Sequence, residues 1–193
     1  MQTGPEFVAP KKERNIALTV YEWCDAVVYA LIAIVLLFTL FFKVTTVVGT
    51  SMINTLHERD TLIISKLGYE PENGDIVVIA MDNLYFQEPI VKRIIASGGE
   101  TVNINFATHE VSVTDVNGVT RVLQEDYILS PTATAADVEF PLTVPEGMLF
   151  VMGDNRNGST DSRDSRVGLI DERQVLGQVV LRVLPIKNFG VVK

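Results

Sequence analysis

Hydrophobic residues are distributed unevenly along this chain, with one long apolar stretch followed by many short β-branched runs. Residues 26–42 read AVVYALIAIVLLFTLFF and carry no charge. A helix rises 1.5 Å per residue, so this stretch would extend about 26 Å, close to the hydrocarbon thickness of a bilayer. The pattern predicts one transmembrane helix near the N-terminus.

Residues at both ends of the stretch fit a membrane span. Trp23 stands at one boundary, and Lys43 can extend its ammonium to the interface at the other. Basic residues at positions 11, 12 and 14 precede the span, which under the positive-inside rule predicts a cytoplasmic N-terminus. We therefore expect a cytoplasmic tail at 1–19, an anchor at 20–43 and an extracytoplasmic body at 44–193.

Two other interpretations of the stretch stay open, a cleaved signal peptide and a buried core helix. The stretch is longer than the roughly 7–15 apolar residues of a signal peptide. The segment VTTVVGTS that follows it has the composition of a strand entering a domain. Residues 1–15, with Gly, Pro and mixed charges, are expected to be disordered.

Beyond residue 43 the hydrophobic pattern is typical of β-strands. The runs rich in Val, Ile and Thr are VTTVV, DTLIISKL, DIVVIAM, PIVKRIIAS, TVNINF, EVSVTDV, VTRVLQ, GMLFVMG and GQVVLRVL. Asn117 and Gly118, between two valine-rich runs, predict a type I′ hairpin turn. Small residues at 130–137 predict a surface loop. The expected fold is mostly β, with antiparallel sheets after one N-terminal transmembrane helix.

Composition and charge exclude several classes of function. The 193 residues allow one ordinary domain plus the anchor. With 24 acidic and 16 basic residues the net charge is −8, which excludes general nucleic-acid binding because that requires a basic face. Cys24 is the only cysteine, so neither an intrachain disulfide nor a cysteine-based metal cluster is possible. We expect no metal and no cofactor.

Ser51 and Lys92 are the first candidates for chemistry. A serine hydroxyl is a weak nucleophile near neutral pH and needs a neighbouring base and donors for the oxyanion. Lysine acts as that base only when neutral, and burial among apolar groups lowers its pKa by penalising the ammonium. Lys92 lies in the run IVKRII, where it shares a strand face with Ile90 and Ile94. Taken alone, a serine and a lysine of this kind are far more often an ordinary turn serine and an exposed edge-strand lysine.

A dense polar loop at 153–163, GDNRNGSTDSR, adds a third feature. Asp161 and Arg163 are close enough in sequence to form an ion pair, and the Ser159 hydroxyl could orient a neutral lysine amine. A solvated turn or a Ca²⁺ site are the alternatives. An EF-hand loop starting at Asp154 is a poor match because its twelfth position is Ser165 and not glutamate.

Four segments resemble, in order and spacing, the motif boxes of bacterial type I signal peptidases. They are GTSMINTL at 49–56, GDIVV at 74–78, VKRIIASGGE at 91–100 and GDNRNGSTDSR at 153–163. The resemblance extends over residues 20–185, and the last segment is the most specific. It implies a membrane-anchored serine endopeptidase that cleaves signal peptides from exported precursors at the outer face of the cytoplasmic membrane.

The resemblance also implies a role for each matching residue. Ser51 would be the nucleophile, Lys92 its general base, and Ser159 the serine that hydrogen-bonds the lysine. Met52 would line the pocket for the residue before the cleaved bond, whereas Arg93 matches a basic neighbour without an assigned role. The loop residues with supporting roles would be Asp154, Asn155 and Arg156, which shape the loop, and Asp161 and Arg163, which form an ion pair.

Two single positions and one five-residue segment depart from the family pattern. Asn54 replaces a usual proline, and Ala-Ser-Gly-Gly-Glu at 96–100 replaces Gly-Leu-Pro-Gly-Asp, so altered loop rigidity is expected without loss of activity. Gly49 stands where some members have a serine that donates to the oxyanion. The oxyanion is then expected to depend mainly on the Ser51 backbone N–H, with the second donor unassigned.

The expected partners are secretory precursor proteins and the lipid bilayer. Ser51 lies eight residues past Lys43, which keeps it within roughly 26 Å of the interface even in an extended chain. A precursor held by its own apolar segment presents its cleavage site at that depth, with small residues three and one before the cut. The resemblance implies shallow pockets that admit Ala and exclude larger side chains.

Three competing interpretations are weaker. A Ser-His-Asp arrangement with His57 would need an unusual turn, and His57 and His109 lack the spacing of metal ligands; His109 is expected at the surface. A membrane-tethered binding or scaffold protein would not need Ser51, Lys92 and Ser159 together. A self-cleaving Ser-Lys repressor-type protease would have a DNA-binding domain where this chain has its apolar stretch.

Overall fold

The computed structural model describes residues 16–81, 85–86, 88–134 and 137–192. The chain divides into two compact units, one ending at Leu40 and one starting at Phe41. The basic residues at 11, 12 and 14, and the disorder expected at 1–15, lie outside the described residues.

The described part of the first unit is one helix, α1 (Ile16–Phe41), whose last residue already belongs to the second unit. Its 26 residues extend about 39 Å, and none of them is buried. By length and composition α1 can cross a membrane. The helix begins ten residues before the apolar stretch at 26–42 and ends one residue before the end of that stretch, because Phe42 and Lys43 already belong to the first strand.

The second unit is a mostly β body, as the hydrophobic pattern predicts. In chain order the strands of the described residues are β1 (Phe42–Thr46), β2 (Thr61–Ser65), β3 (Ile76–Ile79), β4 (Ile90–Ser97), β5 (Thr101–Asn105), β6 (Glu110–Thr114), β7 (Thr120–Val122), β8 (Leu142–Thr143), β9 (Met148–Met152), β10 (Ile170–Asp171), β11 (Val175–Leu184) and β12 (Gly190–Val191).

These strands form two antiparallel sheets. The larger sheet has the order β1-β2-β11-β3-β4-β9-β10, with β12 added beside β11. The smaller sheet has the order β7-β6-β5-β8. Each of the nine predicted runs overlaps a strand, so the predicted fold class is confirmed. The strands that the pattern misses, β8, β10 and β12, have two residues each, too few for an alternation to be visible.

The hairpin between β6 and β7 is present, but its turn is not the predicted type I′. Gly118 has φ +81°, whereas Asn117 is not among the residues with positive φ, and type I′ requires positive φ at both central positions. The Gly118 N–H donates to the Asp115 carbonyl at 2.9 Å, which is a type I turn followed by a left-handed glycine. The Asp115 carboxylate accepts from the N–H groups of Asn117 and Val119 and stabilises this alternative.

The core of the β body consists of three hydrophobic clusters, and β4 contributes to all of them. Ile94 belongs to the first cluster, which packs between β3, β9 and β11. Ile95 and Ala96 belong to the second, shared with the smaller sheet. Val91 packs against the third, which includes residues of β2 and β11. A side chain at the centre of β4 is therefore surrounded by apolar groups.

Candidate active site

Lys92 is buried on β4 and contacts the Ser51 hydroxyl. The residue is 3% exposed, and its strand position is opposite Val77 of β3. The Lys92 Nζ group donates to Ser51 Oγ at 2.8 Å and to the Val91 carbonyl at 3.1 Å. Two residues that are 41 positions apart in the sequence are thus brought within hydrogen-bonding distance.

The environment of Lys92 lowers the pKa of its amine to about 8. Desolvation is the main cause, because burial penalises the charged ammonium. The carboxylates of Asp161 and Asp154 oppose this shift, and the Arg163 guanidinium adds to it. At mildly alkaline pH a large fraction of the Lys92 amine is therefore neutral and able to accept a proton.

Ser51 is held in a tight turn between β1 and β2. The turn starts after Gly49, whose φ of +87° favours glycine, and the Leu56 N–H closes it on the Met52 carbonyl at 2.8 Å. Asn155 fixes the turn from the opposite side. Its backbone N–H donates to the Ser51 carbonyl at 3.0 Å, and its side-chain amide donates to the Thr50 carbonyl at 3.1 Å.

A buried ion pair between Arg93 and Asp154 lies beside the two candidate catalytic groups. The guanidinium binds the carboxylate through two parallel contacts of 2.9 and 2.8 Å, and Thr55 Oγ1 donates to the same carboxylate. Arg93 follows Lys92 in β4, and Asp154 precedes Asn155. The pair therefore joins the strand that carries the lysine to the loop that holds the serine turn.

Asp161 and Arg163 form the ion pair predicted from the sequence. Arg163 Nε and Nη2 donate to the Asp161 carboxylate at 2.8 and 2.9 Å, and both residues are buried. The Asp161 carboxylate also accepts from the Gly153 N–H at 2.9 Å, and Arg163 donates to the Arg156 carbonyl at 2.6 Å. Asp161 and Arg163, near the end of the 153–163 loop, are thus bound to the backbone at its beginning and middle.

Arg156 is fully buried, in contact with a segment that the sequence did not suggest. It forms an ion pair with Glu125 and donates to Thr132 Oγ1 at 3.1 Å. Tyr127 lies over the Arg93 guanidinium, with 3.9 Å between the Arg93 Cζ atom and the ring centroid. Contacts of Arg156 with Thr132 and Glu125 therefore hold the N-terminal part of the predicted loop at 130–137, and the segment before it, against the 153–163 loop.

Ser159 differs from its expected role. Its Oγ atom is buried and has no hydrogen-bond partner in the described part of the chain. The predicted hydrogen bond to Lys92 is absent, and the Lys92 amine donates to Ser51 and to the Val91 carbonyl. The side chain instead lies against Gly153, where an added Cβ atom would overlap it and would come within 2.5 Å of the Ser51 carbonyl oxygen.

Met52 also differs from its expected position. It is 2% exposed and belongs to the third hydrophobic cluster, so it packs in the core below the turn and does not line the open site. The sequence could not distinguish these positions, because a large apolar residue beside a nucleophile suits either one.

An open cleft of about 290 Å³ lies beside Ser51 and Lys92. It is bounded by the segment 88–91 and by Val48, Tyr85 and Phe86. Such a cleft accommodates a few residues of an extended peptide next to the serine hydroxyl.

The two histidines stay apart from this cleft. His57 is exposed, and His109 is also exposed, with its Nδ1 atom 3.0 Å from the Thr132 carbonyl oxygen. Within the described ranges, no group of three or more His, Cys, Asp or Glu side chains is arranged to hold a metal ion.

Sequence reasoning missed Glu125, Tyr127 and Thr132 as neighbours of the site, and it assigned no role to Arg93. Charged and hydroxyl side chains in a loop usually face solvent, so a single sequence carries no sign that these are buried. For Arg93 a signal existed, since an arginine next to a buried lysine in an apolar run needs an acidic partner.

A β body in which a serine hydroxyl meets a buried amine of lowered pKa, next to an open peptide-sized cleft, has the organisation of a hydrolase. The family comparison agrees. Residues 20–184 match the family described as signal peptidase, peptidase S26. The chain belongs to this signal peptidase family and is a peptidase by membership.

Two known relatives support the same assignment through their sequences. A signal peptidase I of Bacillus licheniformis is 36% identical over 179 residues, which cover 86% of this chain and 90% of the relative. A probable signal peptidase I-1 of Synechocystis is 33% identical, covering 72% of this chain and 70% of the relative. A solved signal peptidase I of Enterococcus faecalis V583 is 31% identical, covering 58% of this chain and 98% of that chain, with a TM-score of 0.44.

Proposed function

We propose that this chain is a serine endopeptidase that removes N-terminal signal peptides from exported precursors, with Ser51 as nucleophile and Lys92 as general base. One observation carries the proposal. The Lys92 amine, buried and with its pKa lowered to about 8, lies 2.8 Å from the Ser51 hydroxyl oxygen. Membership of the signal peptidase family supplies the substrate class.

In the first half of the reaction a neutral Lys92 amine accepts the Ser51 hydroxyl proton. Ser51 Oγ attacks the carbonyl carbon of the scissile bond, and the carbonyl oxygen becomes an oxyanion. The Lys92 ammonium then donates its proton to the leaving amine as the C–N bond breaks. The signal peptide is left as an ester on Ser51, and the mature protein departs with a free N-terminus.

In the second half a water molecule donates a proton to Lys92 and attacks the ester carbonyl. Collapse of the tetrahedral intermediate breaks the bond to Ser51 Oγ, which takes the proton back from Lys92. The base is thus neutral again for the next cycle.

The oxyanion region in this proposal is formed by Gly49 and Ser51, with the Ser51 backbone N–H as donor. Asn155 supports the donor's position, since it binds the carbonyl groups of Thr50 and Ser51. A donor aimed at the developing charge contributes about 10²–10³ in rate at sites of this kind.

The remaining residues of the 153–163 loop hold the serine turn and the lysine strand in place and take no part in the bond changes. Asp154, Asn155 and Arg156 connect the serine turn to the strand that carries Lys92, through the contacts of Asp154 with Arg93. Asp161 and Arg163 keep the loop closed around the buried amine, and Ser159 fills the space against Gly153.

We place the reaction at the outer face of the cytoplasmic membrane. The apolar helix Ile16–Phe41 supports an anchor, and basic residues at 11, 12 and 14 support an N-terminus inside the cell. In this arrangement the domains are a tail at 1–19, an anchor at 20–43 and a catalytic body at 44–193. Enzyme and precursor share one bilayer surface, which raises their effective concentration.

The test is cleavage of a precursor by the full chain in detergent or lipid, with Ser51→Ala and Lys92→Ala as the variants. We expect both to lose processing. Ser112→Ala in the smaller sheet and Lys66→Ala at the surface are matched controls and should process normally. Normal processing by either dyad variant would refute the assignment.

A further inference from the structure

The cleft beside Ser51 contains an acidic side chain that the reaction itself does not use. Glu88 is exposed and lines this cleft together with Ser51 and Lys92. Its carboxylate makes no ion pair or hydrogen bond with a residue that the structure describes. A carboxylate in this position is available to an incoming substrate.

The charge that the cleft presents to a substrate is negative. Among the described residues that line it, only Glu88 and Lys92 are charged. Lys92 is 3% exposed and carries no charge when it acts as the base, so Glu88 is then the charged group that the described part of the lining presents. An acidic group beside apolar walls acts on a bound ligand more strongly than one on an open surface.

The geometry of β4 relates Glu88 to the position of the cut. One edge of β4 pairs with β3, and the other edge pairs with β9 only from Arg93 onward. On this second edge, the backbone of residues 90–92 has no strand neighbour in the described part of the chain. An extended peptide advances about 3.3 Å per residue, and Glu88 precedes Lys92 by four positions. If an extended substrate lies along this edge with its cleaved bond beside Lys92, its side chains about four residues from the cut come near Glu88.

We propose that Glu88 is a specificity-determining residue that favours precursors with a basic side chain within about five residues of the cleaved bond. Opposite charges strengthen binding to the cleft, and an acidic side chain at the same place weakens it. The inference rests on the proposed function, since it assigns a preference to that same site.

The experiment uses the full chain in detergent micelles and a neutral reference peptide that carries a signal-peptide cleavage site. In two matched series, one Lys or one Glu replaces a neutral residue at each of the five positions on either side of the cut. The quantity measured is the ratio of kcat/KM for the Lys peptide to that for the Glu peptide. Each ratio compares two peptides with one enzyme preparation, so it does not depend on the folded fraction.

For the unmodified chain we expect a ratio of about two to five at one or two positions, in the range of solvent-exposed charge pairs. The ratio should approach one for Glu88→Gln and fall below one for Glu88→Lys. Raising the salt concentration to about 0.5 M should reduce it, because the charges are then screened. Glu139→Lys, the same charge reversal at an exposed residue outside the cleft, should leave it unchanged.

Two results would overturn the inference while leaving the proposed function intact. One is a reference peptide that is cleaved in a Ser51-dependent manner, with ratios that are the same for the unmodified chain and for Glu88→Lys. The other is an equal shift with Glu139→Lys, which would attribute the preference to net charge. A reference peptide that the unmodified chain does not cleave would refute the proposed function, and this inference with it.

Discussion

At the scale of single residues, the proposed chemistry of this chain depends on the burial of one amine. Lys92 is surrounded by the apolar residues of β4 and its neighbours, and desolvation lowers the pKa of its side chain to about 8. The nearby carboxylates of Asp154 and Asp161 limit the shift, so the amine is basic enough to take a proton from serine and still titrates in an accessible range.

The first prediction concerns the pH dependence of cleavage. Below the pKa of about 8, Lys92 is protonated and cannot act as a base, so kcat/KM should rise about tenfold per pH unit and level off above it. The measurement is kcat/KM for a neutral peptide between pH 5.5 and 9.5, with stability checked at each pH. A profile that stays flat through pH 8 would contradict the role of Lys92.

The second prediction concerns the buried pair of Arg93 and Asp154. Arg93→Met or Asp154→Leu leaves one buried charge unpaired, which should cost about 3–5 kcal/mol of unfolding free energy. The double variant should lose less than the sum of the two, because no charge is then left without a partner.

Thermal unfolding followed by near-ultraviolet circular dichroism measures this coupling. The solvent-exposed pair of Asp171 and Arg173 serves as a control, and coupling close to zero is expected there. Additive losses for Arg93 and Asp154 would show that they do not act as a pair.

At the scale of elements, the site is the meeting of a turn, a strand and a loop. The turn after β1 carries Ser51, β4 carries Lys92, and the 153–163 loop supports both. The contact is close enough that Gly153 has no room for a side chain, since an added Cβ atom would lie 2.5 Å from the Ser51 carbonyl oxygen. The loop and the turn therefore cannot move independently.

The third prediction tests this close packing with Gly153→Ala. The added methyl group should displace the Ser51 turn, and a misplaced nucleophile should lower kcat by about 10–100-fold. Gly190→Ala is a matched control, because an added Cβ there meets nothing within 4 Å. Steady-state kinetics compares the variants, and a kcat for Gly153→Ala within twofold of the unmodified chain would rule out the displacement.

At the scale of the whole molecule, the chain combines an unburied apolar helix with a β body that has its own core. An apolar helix with no buried residue exposes a surface that water disfavours and lipid accepts. The proposal that this helix crosses the membrane has a direct consequence for which parts of the chain are accessible from outside the cell.

The fourth prediction tests that orientation by labelling cysteines in intact cells. In a Cys24→Ala background, Glu139→Cys should react with a membrane-impermeant maleimide added outside, whereas Thr3→Cys should react only after the membrane is opened. These positions lie on opposite sides of the proposed anchor. Labelling of Thr3→Cys in intact cells would reverse the assigned topology.

Much of the architecture was predictable because its signals are local. The length of the apolar stretch, the β-branched runs and the family motifs each depend on neighbouring residues, so they identified the helix, nine strands and the Ser51 and Lys92 pair. The type of the 115–118 turn was not predictable, because the Asp115 side chain competes for the same backbone groups.

The sequence by itself determined the division into an apolar helix and a β body, the fold class and the family. Only the tertiary structure decided which polar residues are buried and what they contact. It placed Met52 in the core, left Ser159 Oγ without a partner, and joined Arg93 to Asp154 and Arg156 to Glu125. The physical reason is that periodicity is a property of adjacent residues, whereas burial and charge pairing arise between segments that meet only when the chain is folded.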